Sequence, residues 1–358
     1  MKYDIAIAGA GIAGASLAAE LAPHASVLIL EMEDQPGYHS TGRSAAFWSE
    51  TYGGPLIQPL TTASHTGLQP FLSPLGSLHI GRTGEASRID DFLAEFEGSG
   101  VTLEARDPRT VVPGLRDDWA LGIWEPSCAY IDVGGLHQDC LARARRAGAT
   151  LQPSAELRGA ARLNGAWRLA TAAGEFAADV LVDAAGAWVD GVALLAGVKP
   201  IGIQPYRRTI MQLRTDPGAP AGLPLVGHIA GDFYFKPEGD RLWLSPHDEI
   251  SSPPCDAQPE EIDIAIAIER FEHVVHWRVA GIDRKWAGLR SFAPDRLPVY
   301  GFDPGVPGFF WCAGQGGFGI QTAPAAAKMA AAMLLGMAPD PLVAAIDPAG
   351  YAVSRLRR

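Results

Sequence analysis

Three glycines and a glutamate near the start of the chain have the types and the spacing that dinucleotide binding requires. Gly9, Gly11 and Gly14 follow an apolar, strand-like segment at 3–8 and precede an alanine-rich, helix-like segment, and Glu31 ends the next apolar run, SVLILE. In such a strand-to-helix turn the first glycine permits the bend, the second lets the backbone approach a pyrophosphate, and the third lets the helix pack on the strand. Free N–H groups and the helix dipole then meet the phosphate charge, and Glu31 accepts the ribose hydroxyls. We therefore predict a dinucleotide-binding βαβ unit.

A second glycine-rich turn, AGQGGFG at 313–319, also precedes a helix-like run of small residues. The N-terminus of a helix favours negative charge, and the N1–C2=O region of a flavin gains negative charge when the ring is reduced. This turn therefore indicates a flavin dinucleotide in preference to a nicotinamide dinucleotide.

Further motifs carry a family resemblance that extends over nearly the whole chain. GYHSTGRSAA, AAGAW, QPYRR, FYFKP, WAGLRSF and QGGFGIQT resemble the FAD-dependent D-amino acid oxidase and glycine oxidase superfamily, and within it the D-arginine dehydrogenase type of D-amino acid dehydrogenase. The resemblance implies noncovalent FAD in a Rossmann-like domain of the glutathione-reductase type. The residues implied for FAD binding are Gly9, Gly11, Ile12, Ala13, Gly14, Glu31, His39, Ser40, Thr41, Gly42, Arg43, Ser44, Ala45, Ala46, Ala185, Gly186, Trp188, Gly314, Gly316, Gly317, Phe318, Gly319, Ile320 and Gln321.

Arginine can hold an amino acid with its Cα–H directed at a flavin, because a guanidinium binds a carboxylate through two parallel hydrogen bonds. The resemblance implies this anchoring role for Arg290, in WAGLRSF; from the residue alone, a surface or interdomain ion pair stays open. Arg207 and Arg208 are adjacent in a strand-like segment, so they point to opposite faces and at most one reaches a substrate. The resemblance favours Arg208.

Two tyrosines and two departures from the family pattern bear on the substrate. The resemblance implies that Tyr234 covers the substrate and that Tyr52 contacts its side chain; alone, Tyr234 is equally an ordinary strand tyrosine. Where the D-arginine enzyme has a carboxylate for the guanidinium, this chain has Ser77, and where that enzyme has a pocket histidine, it has Phe47. Because a cationic side chain in a dry pocket needs a buried carboxylate, we predict an apolar or smaller substrate side chain, with arginine not preferred.

The histidines and cysteines of the chain carry no pattern that predicts covalent flavin attachment or metal binding. His39 lies in a loop comparable to one in which some relatives attach FAD covalently, but the resemblance favours noncovalent binding. Cys312 is predicted to be a small buried residue of a strand. The remaining histidines, such as His65 and His137, lack the paired spacing of a metal site, and no metal is predicted.

Composition limits the classes of function. The 358 residues are 47% hydrophobic and 19% charged, which excludes a disordered or coiled-coil protein. The net charge of -11 gives no general reason to bind nucleic acid or anionic lipid. Four scattered cysteines without metal or disulfide spacing predict a cytoplasmic protein, and no segment has the length and apolarity of a transmembrane helix.

The predicted elements divide the chain into two structural styles. Both ends show strand, glycine turn and helix, whereas RRTIMQLR, DFYFKP and RLWLSP have the period of two that is typical of an antiparallel sheet. A helix is predicted over 133–147, a helix-like stretch at 44–46 and a solvated tail, SRLRR, at 354–358. These styles predict an α/β protein of the two-domain α+β kind. The FAD-binding domain is discontinuous and comprises residues 1–74, 133–198 and 286–358. The inserted substrate domain, built on an antiparallel sheet, comprises residues 75–132 and 199–285.

Together these features predict FAD-dependent oxidative deamination of a D-amino acid to a 2-oxo acid and ammonia, by hydride transfer from Cα to flavin N5. Arg290 and Arg208 would fix the carboxylate, and Tyr234 and Tyr52 would close the pocket. The electron acceptor, oxygen or a quinone, stays open. A 2-hydroxy acid or an N-methyl amino acid carries the same carboxylate and is the nearest alternative substrate. A noncatalytic flavin-binding accessory subunit is a more distant alternative.

Overall fold

The computed structural model describes residues 2–357. Its α-helices are α1 (Ile12–Leu21), α2 (Gln58–Leu68), α3 (Ala86–Glu95), α4 (Val133–Arg146), α5 (Val189–Leu195), α6 (Glu261–Glu272) and α7 (Gly319–Leu335). Its strands are β1 (Lys2–Ala8), β2 (Val27–Leu30), β3 (Phe47–Trp48), β4 (Leu72–Pro74), β5 (Ser77–Gly81), β6 (Glu104–Ala105), β7 (Leu121–Glu125), β8 (Ala129–Ile131), β9 (Thr150–Gln152), β10 (Leu157–Leu163), β11 (Ala166–Thr171), β12 (Gly174–Asp183), β13 (Gln204–Asp216), β14 (Leu225–His228), β15 (Tyr234–Glu238), β16 (Arg241–Ser245), β17 (Ile250–Ser251), β18 (Arg278–Phe292), β19 (Val299–Phe302), β20 (Phe309–Ala313) and β21 (Gln315–Gly316).

The first sheet has a parallel centre in the order β9–β2–β1–β12–β20. The antiparallel strands β10, β11 and β19 extend it. All of β2 and the second half of β1 are buried, as expected of parallel strands that are covered on both faces. The chain passes from β1 through the first glycine turn into α1 and returns as β2, so the predicted βαβ unit is confirmed.

The second sheet has ten strands and is almost entirely antiparallel. Its main path is β21–β18–β13–β16–β15–β14–β5–β7–β6, and β17 pairs with β13. The longest pairing joins β13 to β18, from Gln204 opposite Phe292 to Asp216 opposite Arg278. The three segments that were predicted from their period of two fall largely within β13, β15 and β16. A small third sheet, β3–β8–β4, lies beside these two.

Helices cover the sheets and complete three apolar cores. On one face of the parallel sheet α1 packs against α4 and α7, and their small side chains allow close approach. On the other face α5 and the β10–β12 meander enclose a second core around Trp167 and Trp311. The antiparallel sheet packs against α6 around Phe235 and Phe271. These cores hold the carboxyl ends of the parallel strands beside the antiparallel sheet, the position in which α/β proteins bind ligands.

Two local predictions are wrong. Residues 44–46 are irregular, because the Ser44 hydroxyl accepts the Ala46 N–H at 3.1 Å and Ala46 has a φ of 58°; such local side-chain bonds compete with helix formation. The C-terminal segment was predicted to be a solvated tail, but up to residue 357 it packs on the protein. Arg355 forms an ion pair with Asp295 at 2.6 Å, and Arg357 forms one with Asp303 at 2.7 Å. The last residue of SRLRR lies outside the described residues.

The predicted division into two domains stays a prediction, with one boundary changed. The predicted boundary at 285/286 falls inside β18, which is a single strand from Arg278 to Phe292. The segment that contains Arg290 therefore belongs to the antiparallel sheet, because its hydrogen bonds to β13 continue to Phe292.

Candidate active site

A cavity of about 560 Å³ lies where the two sheets meet. Its wall combines the turn between β1 and α1, the loop after β2, the segment after β12, the turn before α7, and side chains from β13, β15 and β18. One continuous cavity therefore contacts both glycine turns and the two candidate arginines.

The first end of the cavity is formed by the turn before α1 and by Glu31. The Glu31 carboxylate is buried and accepts the Ala10 N–H at 2.8 Å and the Glu33 N–H at 3.0 Å. The Thr41 hydroxyl accepts the Ile12 N–H at 2.9 Å, which connects the loop after β2 to the helix. Gly11, the residue that precedes the first turn of α1, makes no side-chain cap, and no acidic residue lies in that turn. The N-terminus of α1 is thus open to an anion.

The other end of the cavity is formed by the N-terminus of α7. This helix also lacks a side-chain cap and has no acidic residue in its first turn. The glycine at 317 allows the Arg290 guanidinium to lie close to the turn, because a Cβ atom at this position would be 2.1 Å from Arg290 Nη2 in its present position. The Gln321 side chain donates to the Tyr52 carbonyl and to Thr61 Oγ1, both at 2.9 Å. The turn, Tyr52 and Arg290 are therefore held together.

These features fit FAD. Two helix N-termini face one elongated cavity. Neither has a side-chain cap from its own N-cap residue, although Thr41 accepts the Ile12 N–H at α1. A buried carboxylate with free lone pairs lies beside α1. The N-terminus of α1 would hold the pyrophosphate, Glu31 would accept the ribose hydroxyls, and the N-terminus of α7 would offer its positive dipole end to the flavin ring. The residues of this chain that would hold FAD are those of the two turns, Glu31 and the loop after β2.

The loop after β2 is fixed by contacts with the antiparallel sheet. His39 Nε2 lies 2.8 Å from Glu33 Oε1, and its ring packs 4.6 Å from the Trp188 ring. The Ser40 hydroxyl donates to the Leu289 carbonyl at 2.7 Å, and Arg43 donates to the Ala257 carbonyl at 2.9 Å. The loop thus closes the cavity along its length.

Arg208 and Arg290 converge on the cavity from neighbouring strands. Tyr206 lies directly opposite Arg290 in the β13–β18 pairing, so the two side chains are on the same face of the sheet. Arg208 is two residues after Tyr206 and therefore lies on that face too. Arg207 points to the other face, where it pairs with Asp263 at 2.8 Å and with Glu260. Arg208 therefore faces the cavity, and Arg207 does not.

The electrostatics of the arginine pair favour an anion. Burial lowers the pKa of Arg208, and the neighbouring Arg290 charge lowers it further. Arg290 donates to the Tyr52 hydroxyl at 2.6 Å, while its Nε is buried without a hydrogen-bond partner. Burial raises the pKa of Tyr234 to about 12 against the opposing effect of Arg208, so its hydroxyl stays protonated. Two guanidinium groups and two phenols make a site suited to one carboxylate.

The wall next to the arginines is aromatic. The Phe47 ring lies 5.1 Å from the Tyr52 ring and 6.0 Å from the Tyr234 ring. Ser77 is buried outside the wall. Within residues 2–357 the carboxylates of the wall are Glu31 and Glu156, and both belong to the end near α1. The substrate region thus offers apolar surface and no acidic partner for a cationic side chain.

His247 supports the site from behind and was not found from the sequence. Its Nδ1 lies 2.5 Å from the Gly231 carbonyl, and its ring packs 5.7 Å from the Tyr234 ring. Burial, together with Arg208 and Arg290, lowers its pKa from 6.5 to about 3. The folded protein therefore holds this imidazole neutral with Nδ1 protonated.

We predict that His247 makes the protein less stable in mild acid. Its folded pKa is below its unfolded pKa, so the unfolded chain binds the extra proton and stability is lost as the pH falls from 6.5 towards 3. Between pH 6.5 and pH 4 this loss is roughly 3 kcal/mol. The His247→Gln variant should lack this part of the pH dependence in urea unfolding, and His276→Gln, at an exposed position, should keep it. Identical pH slopes in both variants would contradict the prediction.

The predicted site residues fall into two groups. The candidates that contribute to the cavity wall are Gly9, Gly11, Ile12, Ala13, Glu31, His39, Ser40, Thr41, Arg43, Ser44, Ala45, Ala46, Tyr52, Ala185, Gly186, Trp188, Arg208, Tyr234, Arg290, Gly316, Gly317, Gly319, Ile320 and Gln321. Gly14, Gly42, Gly314 and Phe318 lie outside the wall. Gly42 donates its N–H to the Gly37 carbonyl, and Phe318 packs against Phe292 and Tyr52, so they shape the wall from behind.

Other residues of the site were missed because their sequence contexts carry no motif. His137 Nε2 lies 2.8 Å from the Ala10 carbonyl and supports the first turn; burial lowers its pKa, so it is a neutral donor. Asp248 accepts the Thr209 N–H at 2.8 Å and the Thr209 hydroxyl at 2.9 Å, next to Arg208. Glu249 contacts both arginines of the pair from outside the wall, and Arg296 forms an ion pair with Glu249.

Two kinds of feature are absent from residues 2–357. No group of three or more His, Cys, Asp or Glu side chains is arranged to hold a metal ion. None of the helices in this range combines the length and the apolarity that crossing a membrane requires. Cys312 is buried in β20.

Comparisons with known proteins agree with this geometry. The family model DAO, described as FAD dependent oxidoreductase, matches residues 4–333. The mitochondrial dimethylglycine dehydrogenase of Homo sapiens is 24% identical over 98% of this chain, but the chain spans only 44% of that relative. The glycine oxidase of Pseudomonas aeruginosa is 24% identical over 98% of this chain and 99% of its own length. The structure of L-proline dehydrogenase from P. horikoshii superposes with a TM-score of 0.87, at 22% identity, over 100% of this chain and 98% of its own.

Proposed function

The chain belongs to the DAO family of FAD-dependent oxidoreductases, and on this premise we propose that it oxidises a D-amino acid with an apolar or small side chain, not preferentially arginine, to a 2-oxo acid and ammonia. The observation that carries the proposal is the convergence of Arg208 and Arg290 with Tyr52 and Tyr234 beside the turn before α7. That arrangement suits a carboxylate next to a flavin.

FAD bound in this cavity supplies the acceptor for the hydride that leaves Cα. The residues of the chain bind and orient the substrate. Arg290 and Arg208 fix the carboxylate, Tyr52 holds Arg290 through its 2.6 Å hydrogen bond, and the protonated Tyr234 can donate to the same anion. Fixing one end of the substrate in this way removes much of the entropic barrier to reaction.

The amino group needs no assigned base. If it binds in its neutral form, loss of hydride from Cα leaves an iminium, and water adds to its carbon and releases ammonia. The aromatic surface of the half-buried Phe47 and the buried Tyr234 then accommodates the side chain and limits its contact with bulk water. The lack of an acidic partner in this part of the wall supports an apolar or small side chain.

An N-methyl amino acid is a second candidate substrate, because dimethylglycine dehydrogenase aligns with 98% of this chain. It carries the same carboxylate, so the arginine pair would bind it in the same manner.

A cytoplasmic location is also proposed, because the four cysteines are free and three of them are buried.

Anaerobic mixing of the FAD-loaded protein with a substrate panel tests the proposal. The panel contains D- and L-amino acids with apolar, acidic and basic side chains, N-methylglycine and 2-hydroxy acids, and the flavin absorbance near 450 nm is followed. We expect apolar or small D-amino acids to bleach the flavin fastest. If no D-amino acid bleaches it, the proposal is wrong, and bleaching by N-methylglycine alone would favour the second candidate. Admitting oxygen or a quinone to the reduced enzyme then identifies the electron acceptor.

A further inference from the structure

Glu249 places a carboxylate of the protein itself on the two arginines of the substrate site. It lies in the loop between β16 and β17. Its Oε1 is 3.0 Å from Arg290 Nη1 and 3.5 Å from Arg208 Nη2. The same oxygen is 2.8 Å from Arg296 Nη2. One carboxylate oxygen is therefore shared by three guanidinium groups.

The backbone that presents Glu249 is fixed. Asp248 is held by the two hydrogen bonds from Thr209, and its carbonyl accepts Arg208 Nε at 2.7 Å. His247, with a φ of 56°, is held by the Gly231 carbonyl. Ile250 pairs with Arg207 in the sheet. Any displacement of the Glu249 carboxylate is thus a rotation of its side chain, which is about one-third exposed.

Arg296 provides a second position for that side chain. Its Nη2 contacts both oxygens of Glu249, at 2.8 and 2.9 Å. The Arg296 guanidinium lies 4.0 Å from the centre of the Phe292 ring, a cation–π contact that does not involve Glu249. Glu249 can therefore leave Arg208 and Arg290 while it keeps its contacts with Arg296.

We propose that Glu249 is an internal competitor for the substrate carboxylate, and that it moves fully onto Arg296 when a substrate binds. A substrate carboxylate that takes Arg290 Nη1 and Arg208 Nη2 must replace Oε1, because two anions on the same donors repel each other. Glu249 thereby sets the affinity of the site for carboxylates and keeps the two guanidinium groups partly neutralised in the free enzyme. The inference rests on the proposed function, since it takes the arginine pair as the carboxylate site.

The test is the binding of propionate, which has no amino group to oxidise, to the oxidised FAD-loaded enzyme. Binding is followed by the change in flavin absorbance and by the rise in Tm. We expect Glu249→Gln to lower the Kd of propionate about tenfold. Arg296→Gln should raise it, because Glu249 then has no other partner, and Glu249→Gln with Arg296→Gln should behave like Glu249→Gln alone.

Glu260→Gln is the matched control. It removes the carboxylate that pairs with Arg207 on the opposite face of β13, and it should leave the Kd of propionate unchanged. Glu249→Gln and Glu260→Gln should both retain FAD. Without propionate, the Tm values of these two variants should agree within a few degrees.

A Kd that is unchanged or higher in Glu249→Gln overturns the inference, because Glu249 would then only orient the two guanidinium groups. If wild-type enzyme and variants bind no propionate while D-amino acids reduce the flavin, the inference is wrong and the proposed function stands. If propionate binds more tightly to Glu249→Gln while no D-amino acid reduces the flavin, the inference stands and the proposed function is wrong.

Discussion

Replacing Arg290 with leucine should lower kcat/KM for the best D-amino acid by about 30- to 5,000-fold without loss of FAD. Removing one partner of a desolvated, hydrogen-bonded charge pair costs about 2–5 kcal/mol, and each 1.36 kcal/mol is a tenfold change. The loss should appear in the rate of flavin reduction as well as in KM, because the carboxylate anchor also orients the Cα–H. Stopped-flow measurement of the anaerobic reductive half-reaction gives both quantities.

Two further variants define the cause of the Arg290→Leu effect. Arg290→Lys keeps the charge but loses the two-pronged hydrogen-bonding edge, so its activity should lie between that of wild type and that of the leucine variant. Arg284→Leu changes an exposed arginine of the same strand and should leave kcat/KM unchanged. If the flavin of Arg290→Leu is reduced by the D-amino acid at the wild-type rate, the arginine pair does not form the substrate site. The proposed function would then be wrong as well.

The parts of the fold that the sequence predicts best are those with local causes. The turn at Gly9, Gly11 and Gly14 is defined by residues within one strand and one helix, so spacing alone is sufficient. The strands β13, β15 and β16 show their period of two in the sequence for the same reason. The stretch at 44–46 fails because a single hydroxyl-to-backbone bond from Ser44 outweighs a helix-like composition.

The site is predicted less completely, because it depends on register. Alternation along a strand shows that Arg207 and Arg208 face opposite ways, but only the pairing of Tyr206 with Arg290 shows which of them shares a face with Arg290. Glu249 and Arg296 are 47 residues apart and meet only because β18 returns beside β13. The prediction of a solvated tail is wrong for the same reason. Arg355 forms its ion pair with Asp295, which lies 60 residues earlier in the chain.

The electrostatics of the substrate end give physical meaning to the acidic composition of the chain. Glu249 and Asp248 offset part of the charge of Arg208, Arg290 and Arg296, so three guanidinium groups face two carboxylates in a protein whose net charge is -11. A small anion is attracted to this region while larger polyanions are repelled by the rest of the surface. The arginine cluster thus favours a small carboxylate ligand.

Replacing Gly14 with alanine should weaken FAD binding severely, and the purified protein should carry little or no FAD. A Cβ atom at this position would lie 2.0 Å from the Gly9 carbonyl oxygen and 3.2 Å from Ile7 Cγ2. Both neighbours belong to the strand and turn that carry the dinucleotide site, so α1 must move away from β1 and the open N–H groups at its N-terminus move with it. Overpacking of a tight contact costs about 1–3 kcal/mol of folding stability, and the displaced turn should weaken FAD binding at least 100-fold.

The affinity is measured by titrating the apoprotein with FAD and following the quenching of flavin fluorescence. Gly84→Ala is the control, because Gly84 is exposed with no atom within 4 Å of the added Cβ, and it should bind FAD like wild type. A yellow Gly14→Ala protein with wild-type affinity for FAD would show that close packing of α1 on β1 is not what forms the pyrophosphate site.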